Sequence, residues 1–214
     1  MTCKLNSKPN RPPAGQDVPA RLLAVGLLMM AAGITATSAQ DARGMTISPD
    51  RIFSVTTGDW NKDGAQDAVI MIETPEQEFD VLFYLTDEDR RLKLHDHVKE
   101  MVWGASTMFG QEPSVSTREN GSILIGSQNS AIGRNRWEEK LTVVYRENRF
   151  IVAGFSYSHY DTLDPEANGE CDLNLLTGKG TLNGQTIRFE RKPVSVQYFA
   201  GQSDEWRALC GEPQ

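Results

Sequence analysis

The sequence predicts a mainly β fold: a single antiparallel β-sandwich or bent sheet with one or two short helices, following an N-terminal signal peptide. Three observations carry this prediction. Short runs rich in β-branched and aromatic residues recur between turn-forming clusters. Asn183-Gly184 lies between two such runs, the strongest short-range hairpin signal. Helical periodicity is confined to two stretches of about two turns each, and no repeat at a fixed period is present.

The elements follow in chain order. Residues 1–21 are polar and carry Lys4, Lys8, Arg11 and Arg21 against a single Asp17. An apolar run, LLAVGLLMMAAGITA, spans residues 22–36 and is closed by the small residues Thr37-Ser38-Ala39. A basic start, a short apolar middle and a small-residue exit form a secretory signal peptide over residues 1–39. The run is shorter than the ~20 apolar residues of a spanning helix, so cleavage is expected rather than membrane insertion. Residues 40–214 are then one β-rich domain, periplasmic or secreted.

Strands are expected at residues 51–57, 68–72, 79–85 and 92–94, the last two joined by the charged turn TDEDRR. Residues 122–125, 140–145 and 150–157 add three more, with Arg146-Glu147-Asn148-Arg149 turning the last pair into a hairpin. Residues 185–190 and 194–199 supply the final two. The candidate helices are residues 96–103 (DHVKEMVW) and 203–209 (SDEWRAL), the second with Ser203 as N-cap.

Composition excludes some partners. The first 39 residues hold four of the 22 basic residues and one of the 29 acidic ones, leaving 18 and 28 and a net charge of about −10. That balance argues against nucleic acid and anionic lipid, both of which need a basic footprint. Cys3 falls within the signal peptide. Cys171 and Cys210 remain, and in an oxidising compartment they are expected to form one disulfide.

The stretch GDWNKDGAQDAVIMI, residues 58–72, places Asp59, Asn61, Asp63 and Asp67 within nine residues. Counting Asp59 as position 1, oxygen side chains stand at positions 1, 3, 5 and 9. Gly64 at position 6 permits the sharp turn that lets Ala65 offer its carbonyl. An all-oxygen set with three carboxylates suits Ca2+ rather than zinc. Position 12 is Ile70, inside a strand, so an EF-hand is excluded. The alternative is a solvated Asp-Gly turn whose Asp side chains cap backbone amides. With strands on both sides, D-x-N-x-D-G-x-x-D resembles the calcium loop of FG-GAP and VCBS-type repeats over residues 55–72. The resemblance implies Asp59, Asn61, Asp63, the Ala65 carbonyl and Asp67 as ligands of a structural Ca2+. That family repeats the motif around a propeller, and a single copy here does not imply one. One such loop, then RWEEKLTVVYRENRFIVAGFSYSHYD and CDLNLLTGKG, is similar to a family of exported bacterial β-rich proteins with no established activity.

Other clusters are weaker candidates for sites. LLTGKGT, residues 175–181, lacks the first glycine and the hydroxyl residue of a phosphate loop and reads as a turn. His95 and His97 share a face if KLHDH is a strand, but no third zinc ligand is apparent and an exposed pair near a strand end is expected. Ser158, His159 and Asp161 do not make a triad, because adjacent strand residues face opposite ways and no nucleophile elbow is present. Residues 161–171 (DTLDPEANGEC) offer Asp161, Asp164, Glu166 and Glu170 as paired carboxylates or as a solvated loop. GSQNSAIGRNRW, residues 126–137, reads as a long loop in which Arg134, Arg136 and Trp137 could meet an anionic or sugar ligand, with Trp103 near. Asn120-Gly121-Ser122 fits a glycosylation acceptor and, more simply, a hairpin turn.

The functional expectation is an exported, non-catalytic β domain with one structural calcium loop, binding a protein or glycan at the cell envelope. The alternatives are a secreted hydrolase using the carboxylates between Asp161 and Glu170, or an inhibitor of a secreted enzyme.

Overall fold

The computed structural model describes residues 46–190 and 194–211; the signal-peptide reading of residues 1–39 lies outside the described residues. The fold is mainly β, with two antiparallel sheets packed as a sandwich and two short helices. The first sheet is a meander of β1 (Ile52–Gly58), β2 (Asp67–Glu73), β3 (Glu78–Thr86) and β4 (Leu92–Trp103). The second is a longer meander of β5 (Ser114–Thr117), β6 (Ile123–Asn129), β7 (Asn135–Arg146), β8 (Arg149–Asp161), β9 (Asn168–Asn174), β10 (Lys179–Leu182) and β11 (Gln185–Arg188). A two-residue strand β12 (Val194–Ser195) pairs with the start of β8, and α1 (Val196–Ala200) and α2 (Ser203–Leu209) follow it.

Alternation of apolar and polar residues decides which face of each strand is buried. Val69, Met71, Val81 and Phe83 of the first sheet meet Ile123, Ile125, Leu141, Val143, Phe155 and Leu173 of the second in one core. The sandwich is pinned at one edge, where the Thr117 hydroxyl donates to the Thr57 carbonyl (3.0 Å) and also hydrogen-bonds the Thr56 hydroxyl (2.8 Å). The expected hairpins are present. Glu147 and Asn148 both have positive φ (51° and 57°), as do Asn183 and Gly184 (49° and 74°), the backbone a two-residue hairpin turn requires.

Residues 96–103, expected as a helix, belong to strand β4. Their buried positions, Val98, Met101 and Val102, do carry a helical spacing. A strand irregularity produces it: the β3–β4 register shifts between Phe79 and Val81, and Glu100 turns to φ 50° while its amide donates to Asp80 Oδ1 (2.9 Å). Extra strand residues reset which side chains face the core, and three-plus-one spacing results. Residues 194–199, expected as a strand, are a strand only to Ser195, whose hydroxyl caps α1 by accepting the Tyr198 amide at 3.2 Å. Gln202, not Ser203, is the N-cap of α2, and it makes no side-chain capping bond.

His95 and His97 lie mid-strand, each with a carboxylate. His97 Nε2 meets Asp80 Oδ2 and His95 Nδ1 meets Asp96 Oδ2, both at 2.7 Å. The Asp96 hydrogen bond outweighs partial burial and raises the His95 pKa above its ordinary value of 6.5. A raised folded pKa contributes stability fully below the unfolded value and loses it as pH climbs through the folded one. The native state should therefore weaken modestly as pH rises above about 6.5. In Asp96→Asn, the NMR titration of the His95 ring should return towards the ordinary value.

Candidate functional site

Two places gather the residues singled out above: the loop between β1 and β2, and the region where β7 begins and β8 ends. The first loop leaves β1 at Gly58 and re-enters β2 at Asp67, which pair across the ladder. Trp60 anchors it in the core at 6% exposure, edge-on to Phe150 with centroids 6.2 Å apart. A Cβ at Gly58 would stand 3.0 Å from the Trp60 ring, so a larger residue there would press on this anchor. Lys62 and Gly64 take positive φ (64° and 82°) to close the turn.

Within the loop, Asp59 accepts the Asp63 amide (3.1 Å) and the Gly64 amide (3.0 Å). Asn61 Oδ1 accepts the Asp63 amide (3.1 Å), and its Nδ2 donates to Asp63 Oδ2 (2.7 Å). Asp63 Oδ1 accepts the Ala65 amide at 2.7 Å; that bond, and then the one from Asn61, hold the Asp63 carboxyl below the ordinary carboxylate range. Asp67 is fully buried, with its two oxygens on different elements: Oδ2 takes the Trp60 amide (3.0 Å) and Oδ1 the Thr86 amide at the end of β3 (2.9 Å). Among the described residues, no three His, Cys, Asp or Glu side chains are gathered as a metal-ligand group. The observed bonds are those of the amide-capping turn. A carboxylate oxygen has two lone pairs, so each one here retains capacity for a hard cation. The donors are all oxygen, and no ion pair among the described residues reaches Asp59, Asp63 or Asp67. The residues therefore fit Ca2+ in donor chemistry.

At the second place, the expected long loop of residues 126–137 is mostly strand, and only residues 130–134 lie between β6 and β7. Asn129, 8% exposed, folds this short loop: its Nδ2 donates to the carbonyls of Ile132 (2.8 Å) and Asn135 (2.9 Å), and its Oδ1 accepts the Ile132 amide (2.8 Å). Arg134, Arg136 and Trp137 all line a cavity of about 390 Å³, which the structure completes with Asn135, Tyr157, His159, Tyr160, Asp161 and Ala167. Register puts Trp137, His159 and Gly169 in one row across β7, β8 and β9, on the core face. Arg136 and Tyr160 pair with each other on the opposite face, so the cavity, sitting at the strand ends, takes residues from both. Arg134 Nε donates to Asp161 Oδ2 at 2.6 Å, and Asp161 also accepts the Leu163 amide at 2.8 Å. The Leu163 bond, then Arg134, hold the Asp161 carboxyl low.

Aromatic rings continue inward from the cavity. Trp103 packs on Trp137 (centroids 5.3 Å apart), and Tyr157 stacks between Phe155 and His159. Helix α2 covers this row. Arg207 lies over the Trp137 and Tyr157 rings at 5.1 and 5.8 Å and pairs with buried Glu139 at 2.7 Å. The Cys171–Cys210 disulfide ties β9 to the residue after α2, with Cα atoms 5.3 Å apart.

The remaining candidates separate in space. Ser158 faces outward opposite Glu138 and Glu170, while His159 and Asp161 face the core, so the three do not meet. Asp161 and Glu170 also occupy opposite faces. Residues 161–171 are not one solvated loop, since β8 runs to Asp161 and β9 starts at Asn168. Glu170 opens instead on a shallow outer groove of about 280 Å³ with Glu138, Lys140, Ser156 and Asp172. Sequence reasoning missed Asn135, Tyr157 and Tyr160 as cavity residues and considered His159 only as a member of a catalytic triad. Compared with family models, with curated proteins and with solved structures, the chain gives no match, so its function has to be argued from these two sites.

Proposed function

We propose that the chain is an exported, non-catalytic β domain, stabilised by a structural calcium loop and one disulfide, that binds a protein or glycan at the cell envelope. The cavity at the β7–β8 end carries this reading: aromatic and cationic side chains from two strands converge on a space of small-molecule size. Separation of Ser158 from His159 and of Asp161 from Glu170 favours binding over hydrolysis. The test is retention of glycans on an array, and of proteins from envelope extract, by residues 40–214 and by the Trp137→Ala variant. Retention that Trp137→Ala abolishes supports the reading; no retention, or retention indifferent to Trp137, sinks it.

Inhibition of a secreted enzyme is the second reading, favoured by Phe109 and Leu163, which are 88% and 74% exposed on neighbouring loops. The Phe109 loop is braced on residues 130–134, where the Ser130 amide donates to the Gly110 carbonyl (2.8 Å). A protein partner lost on Phe109→Ser but kept by Trp137→Ala would favour this reading.

Calcium, held by Asp59, Asn61, Asp63, the Ala65 carbonyl and Asp67, would neutralise three carboxylates that otherwise repel one another. A ligand bound only to the native state raises the melting temperature by mass action. Melts in excess calcium should exceed those in chelator by several degrees, and Asp63→Ala should erase the difference. Equal melts in the parent chain would retire the metal.

A further inference from the structure

The cavity between the ends of β7 and β8 contains polar groups that the fold leaves without partners. Both ring nitrogens of His159 are buried and neither has a hydrogen-bond partner. The ring stacks on Tyr157 (centroids 5.8 Å apart, planes 26° apart) and lies against Gly169, where a Cβ would stand 2.8 Å from its Cε1. A glycine at that point is the cradle that admits the imidazole. In either neutral tautomer the ring offers one donor and one acceptor, and burying both unanswered is costly. Arg136, which lines the same cavity, has Nη1 buried without a partner. Arg134 gives its Nε to Asp161, but its side chain is 54% accessible and its terminal nitrogens are free for a ligand. Two guanidinium groups thus face one carboxylate in a chain whose net charge is −7.

We infer that this cavity binds a sugar bearing a carboxylate, a hexuronic acid or its glycoside. The inference rests on the glycan reading proposed above and narrows it. A planar carboxylate matches a guanidinium fork in a way a neutral hydroxyl does not. A sugar ring adds hydroxyls, each both donor and acceptor, which can answer the unpartnered His159 ring nitrogens and the Asn135 side chain. Trp137 and the 53%-exposed Tyr160 supply apolar surface for the C–H face of the ring. The volume of about 390 Å³ holds one small ligand and not a long chain.

The test is calorimetry and NMR on the exported chain with four probes: glucuronate, glucose, glucose 6-phosphate and N-acetylglycine. Glucuronate should bind at least about ten-fold more tightly than glucose, the gain expected of one charge-assisted bidentate contact. It should also shift the His159 ring nitrogens. Arg136→Gln should level the affinities for glucuronate and glucose, and His159→Phe should weaken both. Equal binding of glucuronate and glucose by the parent chain overturns the carboxylate assignment and leaves the glycan reading standing. Binding of N-acetylglycine or glucose 6-phosphate as tight as that of glucuronate overturns the sugar-acid assignment in favour of a general anion pocket. If no probe binds while the glycan array retains other sugars through Trp137, only the inference fails; if the array is blank too, the glycan reading fails with it.

Discussion

Replacing Asp67 with alanine is expected to destabilise the domain by on the order of 3–5 kcal/mol. Asp67 is fully buried, and its carboxylate is the only side chain seen to bond both the Trp60 amide in the β1–β2 loop and the Thr86 amide at the end of β3. Alanine leaves the buried Trp60 N–H and the part-buried Thr86 N–H without their acceptor, and each carries its own desolvation penalty. The loss is large against the roughly 5–15 kcal/mol that holds a domain of this kind together. Urea unfolding in chelator measures it without a metal contribution. Asp67→Asn keeps one acceptor oxygen but turns an NH2 towards the other amide, and should lose about half as much. Thr86→Ala removes only the hydroxyl bond to the Gln66 carbonyl (2.5 Å) and should cost about 1 kcal/mol. If Asp67→Ala lost under about 1 kcal/mol, Asp67 would not be the clamp that closes this loop.

The β1–β2 loop shows how far sequence pattern reaches. Spacing placed Asp59, Asn61, Asp63 and Gly64 on a tight turn, and the turn is there. Nothing in the spacing separates Asp67 from the others, yet it alone is fully buried and bonded to a second strand. That bond depends on where β3 ends, a tertiary fact that local sequence does not encode. Most strands and both glycine or asparagine turns were legible, because alternation and positive-φ residues act locally. Strand β4 was not, because its bulge near Glu100 gives Val98, Met101 and Val102 a helical spacing.

A single residue explains why the cavity was harder to read. Counting outward from the Glu147-Asn148 turn, Arg146 faces Arg149 and Val143 faces Val152. A straight count would set Trp137 opposite Ser158 and send His159 to the outer face. The register shifts between Thr142 and Val143, where Ala153 is the extra residue and its carbonyl accepts the Leu175 amide at 3.0 Å. Beyond that bulge the odd-numbered residues Phe155, Tyr157, His159 and Asp161 face inward. A one-residue slip reverses the faces of a strand, so His159 could be placed beside Trp137 only with the bulge known. The run Val152-Ala153-Gly154, small residues interrupting an aromatic alternation, is the one local hint of it.

Removing the disulfide with Cys171→Ser and Cys210→Ser is expected to cost about 3–4 kcal/mol, the chain-entropy value for a crosslink across 39 residues. At roughly 2–4 °C per kcal/mol for a domain of this size, the melting temperature should fall by about 6–16 °C. The damage should centre on α2. Seven residues are too few for a helix to persist alone, and this one is held by the crosslink, by Trp206 stacked on Phe199, and by Arg207 between Glu139 and the Trp137 ring. If α2 lifts away, Glu139, 6% exposed in the closed fold, loses its 2.7 Å contact with Arg207. Crosslink and ion pair therefore act on the same event. Arg207→Ala in the oxidised chain should cost about 2 kcal/mol, the worth of a hydrogen bond to a charged group, and adding it to the disulfide-free chain should cost clearly less, because α2 is already partly released there. Proteolysis near residues 200–211, faster in the serine variant than in the parent chain, would locate the opening. Additive losses with no change in cleavage would show instead that the disulfide acts on the unfolded chain alone and that α2 stays docked without it.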